Sequence, residues 1–467
     1  ALKASLASRA GLRSATPLTP TPNSINVVTD FGADPTGRLD STLAIQSAIN
    51  AAWNRSDGFS VEAYHPGGDL GGLVIDFAGG HFLLSKPLRF PLTALNGTGG
   101  NVVFANGELV AAPAFPRDGY LLQVDEFVSD DRLQRYRYVT FLNMEFQASH
   151  VAAGCVKMMQ VEQIRFSLCR FIGFKDKGVW FTGVGNENYI DLCWFQELPG
   201  YNQCHNVTAG LKTGTALHID NNDHSVSNSV MLCSLQGVVV NNSANTFRNV
   251  HIYTIGETAY PHGCVHVTAS ARGIRFLESY FDGCPVFIDE PSMTAIKDSI
   301  FLLAEGQASP GLGAVVLSPQ QPNYVVDAFS ITGAVVIGSP RRPFPFIVVN
   351  TTAGNFSATT PPTGTLIADN SFGSWCVGKG LTPSTTRTSR VLTTTNATNE
   401  WLFDFSDVLV FPNLHDVMYS VQFPEEAAFT QHALFVDQAA LTVTVRTAAP
   451  VPAATVTVHV DQSRAYR

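Results

Sequence analysis

Residues 154–175 read GCVKMMQVEQIRFSLCRFIGFK, and residues 178–199 read GVWFTGVGNENYIDLCWFQELP. Each opens with a short alternating strand, passes a polar turn and enters a second β-rich stretch with a bend. The same plan returns in ALHIDNNDHSVSNSVMLCSLQ from 216, GVVVNNSANTFRNVHIYTIGE from 237, GCVHVTASARGIRFLESYFDG from 263 and PVFIDEPSMTAIKDSIFLLAE from 285. The starts lie 24, 38, 21, 26 and 22 residues apart, and the 38 holds an insertion, PGYNQCHNVTAGLKTG. Alternation means that one face of each strand is buried. A unit this short cannot bury that face alone, but stacked units pair strand on strand and share a core. The spacing therefore predicts a parallel coil, with an ordinary β-sandwich as the alternative. Cys169, Cys193 and Cys233 align as one stacked column.

Weaker strands extend the pattern upstream (VIDFAGGHFLL, GGNVVFANGELVA, VTFLNMEFQA) and downstream (YVVDAFSITGAVVIG, PFIVVN). At the upstream end stands VVTDFGADPTGRLDSTLAIQSAINAAW, residues 27–53. Asp34-Pro35-Thr36-Gly37 is a turn, because Pro fixes φ and Gly takes what other residues avoid. Asp40 or Ser41 reads as an N-cap, and Leu43, Ala44, Ala48, Ile49 and Ala52 form an apolar stripe on a helix of about three turns.

This stretch resembles the entry motif of the pectate-lyase-like right-handed parallel β-helix superfamily, though Ser41 stands where a second acidic residue is common. The resemblance covers roughly residues 24–375. It implies that the helix plugs the open end of the coil, which otherwise exposes apolar core and strand edges. It implies the fold more than the chemistry, since lyases, glycosidases, phage tailspikes and binding proteins share it. The expected architecture is all-β: an N-terminal arm over 1–24, a parallel β-helix over 25–377 with its capping helix, a linker over 378–390 and an antiparallel β-sandwich over 391–467. The sandwich rests on alternating segments such as WLFDFSDVLVF and ATVTVHVDQ.

The 467 residues are 45% hydrophobic and only 14% charged, which supports a large core and argues against disorder. A net charge of −9 does not suggest a nucleic-acid or anionic-membrane partner. No apolar run reaches the roughly 18 residues of a membrane helix. Eight cysteines include no CxxC pair, so zinc is not expected; a buried thiol ladder and disulfides both stay open. Seven N-x-S/T sequons and a first segment without a signal-peptide core read as a mature, extracellular or virion-surface chain. A homotrimer is expected from the weakly charged coil and the strand edges of the sandwich.

Outward side chains at one strand position form a column, stepping about 4.8 Å per rung, and such a column suits a linear polymer. One column reads Lys157, Trp180, His218, Val239, His266 and Phe287; the next reads Met159, Thr182, Asp220, Asn241, Thr268 and Asp289. Asp176, Lys177, Glu257, His262 and Asp282 lie in the turns entering these strands. Aromatic faces beside carboxylates and imidazoles are what sugar binding uses. The reading assigns Asp220, Glu257, His262 and Asp282 to catalysis, and Lys177, Trp180, His218, His266 and Asp289 to substrate binding. By resemblance to the polygalacturonase branch, Asp282 in FDGCPVF and His262 in PHGCVHV hold comparable places; that branch's full Asn-Thr-Asp, Asp-Asp and Gly-His-Gly signatures are absent. The expected function is glycoside hydrolysis by paired carboxylates. Elimination is the alternative, with Lys177, His218 or His266 as base and calcium on Asp220 and Asp289 the one cofactor that would favour it. A non-catalytic fibre or glycan-binding protein is the other. A rival column runs Asp191, Met231, His251, Glu278 and Asp298.

Overall fold

In a computed structural model, the structure describes residues 24–55, 73–91, 102–124, 136–198, 213–253, 264–283, 285–289, 293–303, 313–318, 329–338, 344–349, 366–372, 377, 381–411, 414, 416–423 and 430–462. The chain divides into two compact units, Ala1–Val240 with Val250–Thr254, and Asn241–Asn249 with Ile255–Arg467.

In the first unit, Leu88–Arg89, Tyr120–Val124, Gly154–Met159, Lys177–Thr182, Thr215–Ile219 and Gln236–Val240 pair in parallel, rung on rung. The opening strands of the repeat thus stack in register, as the spacing predicts. The second half of each repeat is two three-residue strands, such as Arg165–Ser167 with Arg170–Ile172, and Tyr189–Asp191 with Trp194–Gln196. Between them one residue turns the corner at positive φ: Leu168 (56°), Leu192 (54°) and Asn228 (49°).

This corner breaks the strict alternation and corrects two sequence expectations. The small-residue column runs Cys169, Cys193, Ser229: Trp194 pairs with Val230, and Cys193 N–H donates to Ser229 Oγ at 3.0 Å. Cys233 comes after that strand instead, and both it and Cys264 are disulfide-bonded. Cys155, Cys169 and Cys193 are free and buried. The rival column is not one column either. Asp191 ends a strand, Met231 is fully buried, His251 begins a strand, and Glu278 and Asp298 are corner residues at positive φ.

Inside the coil, phenylalanines stack along the rungs. Phe141 lies on Phe166 at 4.7 Å and 9°, and Phe171 sits between Phe146 (5.3 Å) and Phe195 (4.6 Å). The helix Thr42–Arg55 closes this core. It buries Ala48, Ile49 and Ala52 as expected, together with Ile45 and Trp53, while Leu43 is 79% exposed and Ala44 is only half-buried. Trp53 meets Phe90 at 4.7 Å. Ser41 C=O accepts the first helical bond, from Ile45, and Asp40 Oδ1 accepts Thr42 N–H and Ser85 N–H. In the turn before it, the Asp34 carboxylate accepts the N–H groups of Thr36, Arg38 and Leu39, and the Thr36 hydroxyl bond leads in holding its pKa down to about 2.

The second unit repeats the plan. Val265–Val267, Val286–Ile288, Val315–Leu317 and Ile347–Val349 pair in parallel, and corner strands such as Arg275–Leu277 and Ala295–Lys297 pair beside them. Two antiparallel three-stranded sheets follow, one around Ala454–Asp461 and one around Thr442–Val451. They share a core of Trp401, Phe403, Val443, Val445, Val456, Val458 and Val460. Strands Leu381–Thr382 and Arg387–Thr394 begin within the stretch 378–390. Among the described residues, no helix is long and apolar enough to cross a membrane.

Candidate functional site

Register places Lys157, Trp180 and His218 side by side on consecutive rungs of the first unit. Their side chains face outward because their strand neighbours Val156, Met158, Val179, Phe181, Leu217 and Ile219 fill the core. Asp220 follows the third strand directly. Its Oδ2 accepts Trp180 Nε1–H at 2.6 Å, and its Oδ1 accepts His218 Nε2–H at 2.8 Å. The imidazole and the carboxylate are both mostly covered, at 18% and 24% exposure.

Two ammonium groups crowd the indole. Lys177 Nζ lies 4.4 Å and Lys157 Nζ 4.9 Å from its ring centroid. Each such contact draws a cation onto the negative face of the ring. Lys177 also donates to Asp176 Oδ1 at 2.7 Å, and Tyr120 O–H donates to Asp176 Oδ2 at 2.6 Å. Burial, followed by the bond to Asp176, pushes the Tyr120 phenol far above its ordinary value, so it stays a donor. Gly154 makes room for that ring: a Cβ there would stand 2.3 Å from Tyr120 Cε1 and 2.2 Å from the Lys177 carbonyl oxygen. Among the described residues Lys157 has no carboxylate partner.

The cluster therefore unites four expected residues, Lys177, Trp180, His218 and Asp220. The indole face expected to receive a sugar ring is already shared with two cations. Sequence reasoning assigned no role to Tyr120 or Glu197. The side chain of Glu197 is fully buried and accepts Thr213 N–H at 2.6 Å and Leu235 N–H at 3.0 Å, fixing the entry to the His218 strand. An acid inside the apolar ending WFQELP was its only signal.

Two carboxylates border the cluster. Asp176 precedes the strand Lys177–Thr182 and Asp220 lies level with its end, and the contacts of Lys177 and Trp180 bridge the two.

In the second unit, His266 Nε2–H donates to Asp289 Oδ2 at 2.9 Å, which repeats the imidazole–carboxylate pairing of the first. Asp282 ends the corner strand Tyr280–Asp282, in register with Leu302, and is 7% exposed. Glu257 and His262 lie outside the described residues. Among the described residues no group of three His, Cys, Asp or Glu side chains is arranged to hold a metal ion.

Polygalacturonase QRT3 of Arabidopsis thaliana is 29% identical over 421 residues, which covers 87% of this chain and 78% of that protein. The Dettilon tailspike protein aligns with 98% of this chain and 100% of its own, at 10% identity and a TM-score of 0.43. The Streptococcus pneumoniae surface protein and adhesin PfbA aligns with 77% of this chain and 98% of its own, at 10% identity and 0.43. Residues 24–263, just over half of the chain, match the family model described as rhamnogalacturonase A/epimerase, pectate lyase-like. That span runs from the first strand through the helix and the rungs that carry Lys157, Trp180, His218 and Asp220. With its parallel coil and N-terminal helix, the chain belongs to this carbohydrate-active, pectate-lyase-like β-helix family.

Proposed function

We propose that this protein is a glycoside hydrolase that binds a uronate-bearing polysaccharide along the outward face of Gly154–Met159, Lys177–Thr182 and Thr215–Ile219. The observation that carries the reading is the pair of ammonium groups, Lys157 and Lys177, held over one indole beside the Asp220–His218 pair. A single column of parallel rungs suits a linear polymer, and cations on it suit one that carries carboxylates. The relative's name, a polygalacturonase, supports the same substrate class. Asp220 is the acid–base group of this proposal, and the catalytic roles of Glu257, His262 and Asp282 stay as expected from the sequence. In this proposal Lys177, ion-paired with Asp176 at 2.7 Å, binds the polymer, and His218 or His266 would be the base of the alternative, elimination. Secretion and a homotrimeric state accompany the proposal as expectations.

The test is a polysaccharide panel read two ways, by reducing ends and by absorbance at about 235 nm, the signature of the unsaturated product of elimination. Reducing ends from polygalacturonate without that absorbance support the reading. Absorbance rising with the reducing ends makes the protein a lyase. Tight binding with neither signal makes it a glycan-binding protein.

A further inference from the structure

Asp220 leaves the strand Thr215–Ile219 into a five-residue turn that ends at His224, and two side chains of that turn are buried. Asn221 and His224 are each 2% exposed. Asn188 N–H points at His224 Nδ1 at 3.1 Å, so Nδ1 accepts and the ring proton sits on Nε2. Nε2–H in turn donates to Asn221 Oδ1. This orients the Asn221 amide, whose Nδ2 donates to the Thr182 carbonyl at 3.4 Å, on the rung that carries Trp180. Asp220 N–H donates to the Phe181 carbonyl at 2.8 Å, and the His224 ring stacks on the Phe181 ring at 4.9 Å. Burial alone holds the His224 imidazole down at about 3, so the direction of these bonds does not reverse near neutral pH.

Both ends of the Asp220–Trp180 hydrogen bond thus rest on one buried clamp. Phe181 neighbours Trp180 in the chain and touches His224; Asn221 neighbours Asp220 and is held by His224. Neither clamp residue contacts solvent enough to meet a polymer. Gly185 leaves the space for the amide, since a Cβ there would stand 2.9 Å from Asn221 Nδ2.

We propose that Asn221 and His224 are positioning residues that aim the Asp220 carboxylate at Trp180 and His218, acting through the turn and through Phe181. The inference rests on the reading of Asp220 as the acid–base group only for its effect on turnover; its effect on geometry stands without it. A clamp of this kind sets the geometry of a reacting group without touching substrate, and displacements of about 1 Å cost up to about 10² in rate.

The test uses the full chain with its indoles labelled with nitrogen-15. The Trp180 resonance is assigned by its loss in Trp180→Phe, and its position without the carboxylate is set by Asp220→Ala. His224→Phe keeps a ring against Phe181 but has no donor or acceptor; Asn221→Leu removes the amide and leaves His224 in place. Each is expected to move the Trp180 indole proton toward its Asp220→Ala position. Each should also lower kcat on polygalacturonate about tenfold or more, with a smaller change in KM. His224→Gln can both donate and accept, and is expected to restore the resonance and most of kcat. The proposal is overturned if both clamp variants keep the wild-type Trp180 resonance, whatever happens to their stability. If the wild type releases nothing from polygalacturonate, the proposed function fails, while the resonance still decides whether the clamp aims Asp220.

Discussion

Asp220 holds two partners at once, an indole N–H and an imidazole. Asp220→Asn keeps the volume but cannot handle a proton, so kcat on polygalacturonate should fall by about 10² or more; loss of binding alone would recast the residue as a gripping group. Lys157 is the simpler case. With no carboxylate partner among the described residues, Lys157→Met removes a cation without orphaning an acid. Affinity for polygalacturonate should drop and its salt dependence should weaken, while binding to a neutral glucan stays level; titration calorimetry at two salt concentrations reads both. His224 supplies the pH dependence. Its folded pKa of about 3 lies below the 6.5 of the free imidazole, so the fold favours the neutral ring. Its contribution is whole above pH 6.5, and is lost as pH falls from there toward 3. A thermal midpoint that drops through this window, and drops less in His224→Gln, is the expected result; an identical profile in both would remove His224 as the cause. The columns holding Lys157, Trp180 and His218 were legible because strand alternation fixes which side chains face out. Tyr120, Glu197 and His224 were not, because their contacts cross 56, 38 and 36 residues through an irregular insertion or turn.

At the scale of elements, the corner explains both what the sequence revealed and what it hid. Strand stacking was visible as a repeat of twenty-odd residues, but one residue at positive φ inside each second half resets the alternation. Extrapolating a period of two across it put Met231 outside, where it is buried, and aligned Cys233 with Cys193, where Ser229 stands. The helix stripe keeps Ala48, Ile49 and Ala52 but has Ile45 and Trp53 in place of Leu43 and Ala44, with the Trp53 ring packed on Phe90 and Phe104. The phenylalanine stacks carry the core across rungs. Phe171→Ala empties a site bounded by Phe146 and Phe195, and should cost about 3–5 kcal/mol in urea-induced unfolding. A cost below about 1 kcal/mol would mean that the stack adds little to burial.

For the whole molecule, parallel pairing and the antiparallel C-terminal sheets follow from patterns that the chain repeats strand after strand, and the N-terminal helix from one entry motif, which is why the fold could be read before the chemistry. A candidate site has no such repetition, and the most informative feature here, two lysines over one indole, needs the register of adjacent rungs to be seen. If those cations read the carboxylates of the polymer, reducing ends are released fast from polygalacturonate and slowly from the same polymer fully methyl-esterified, with Lys157→Met and Lys177→Met each narrowing the gap. Equal rates on the two polymers, or a faster rate on the ester, would contradict it.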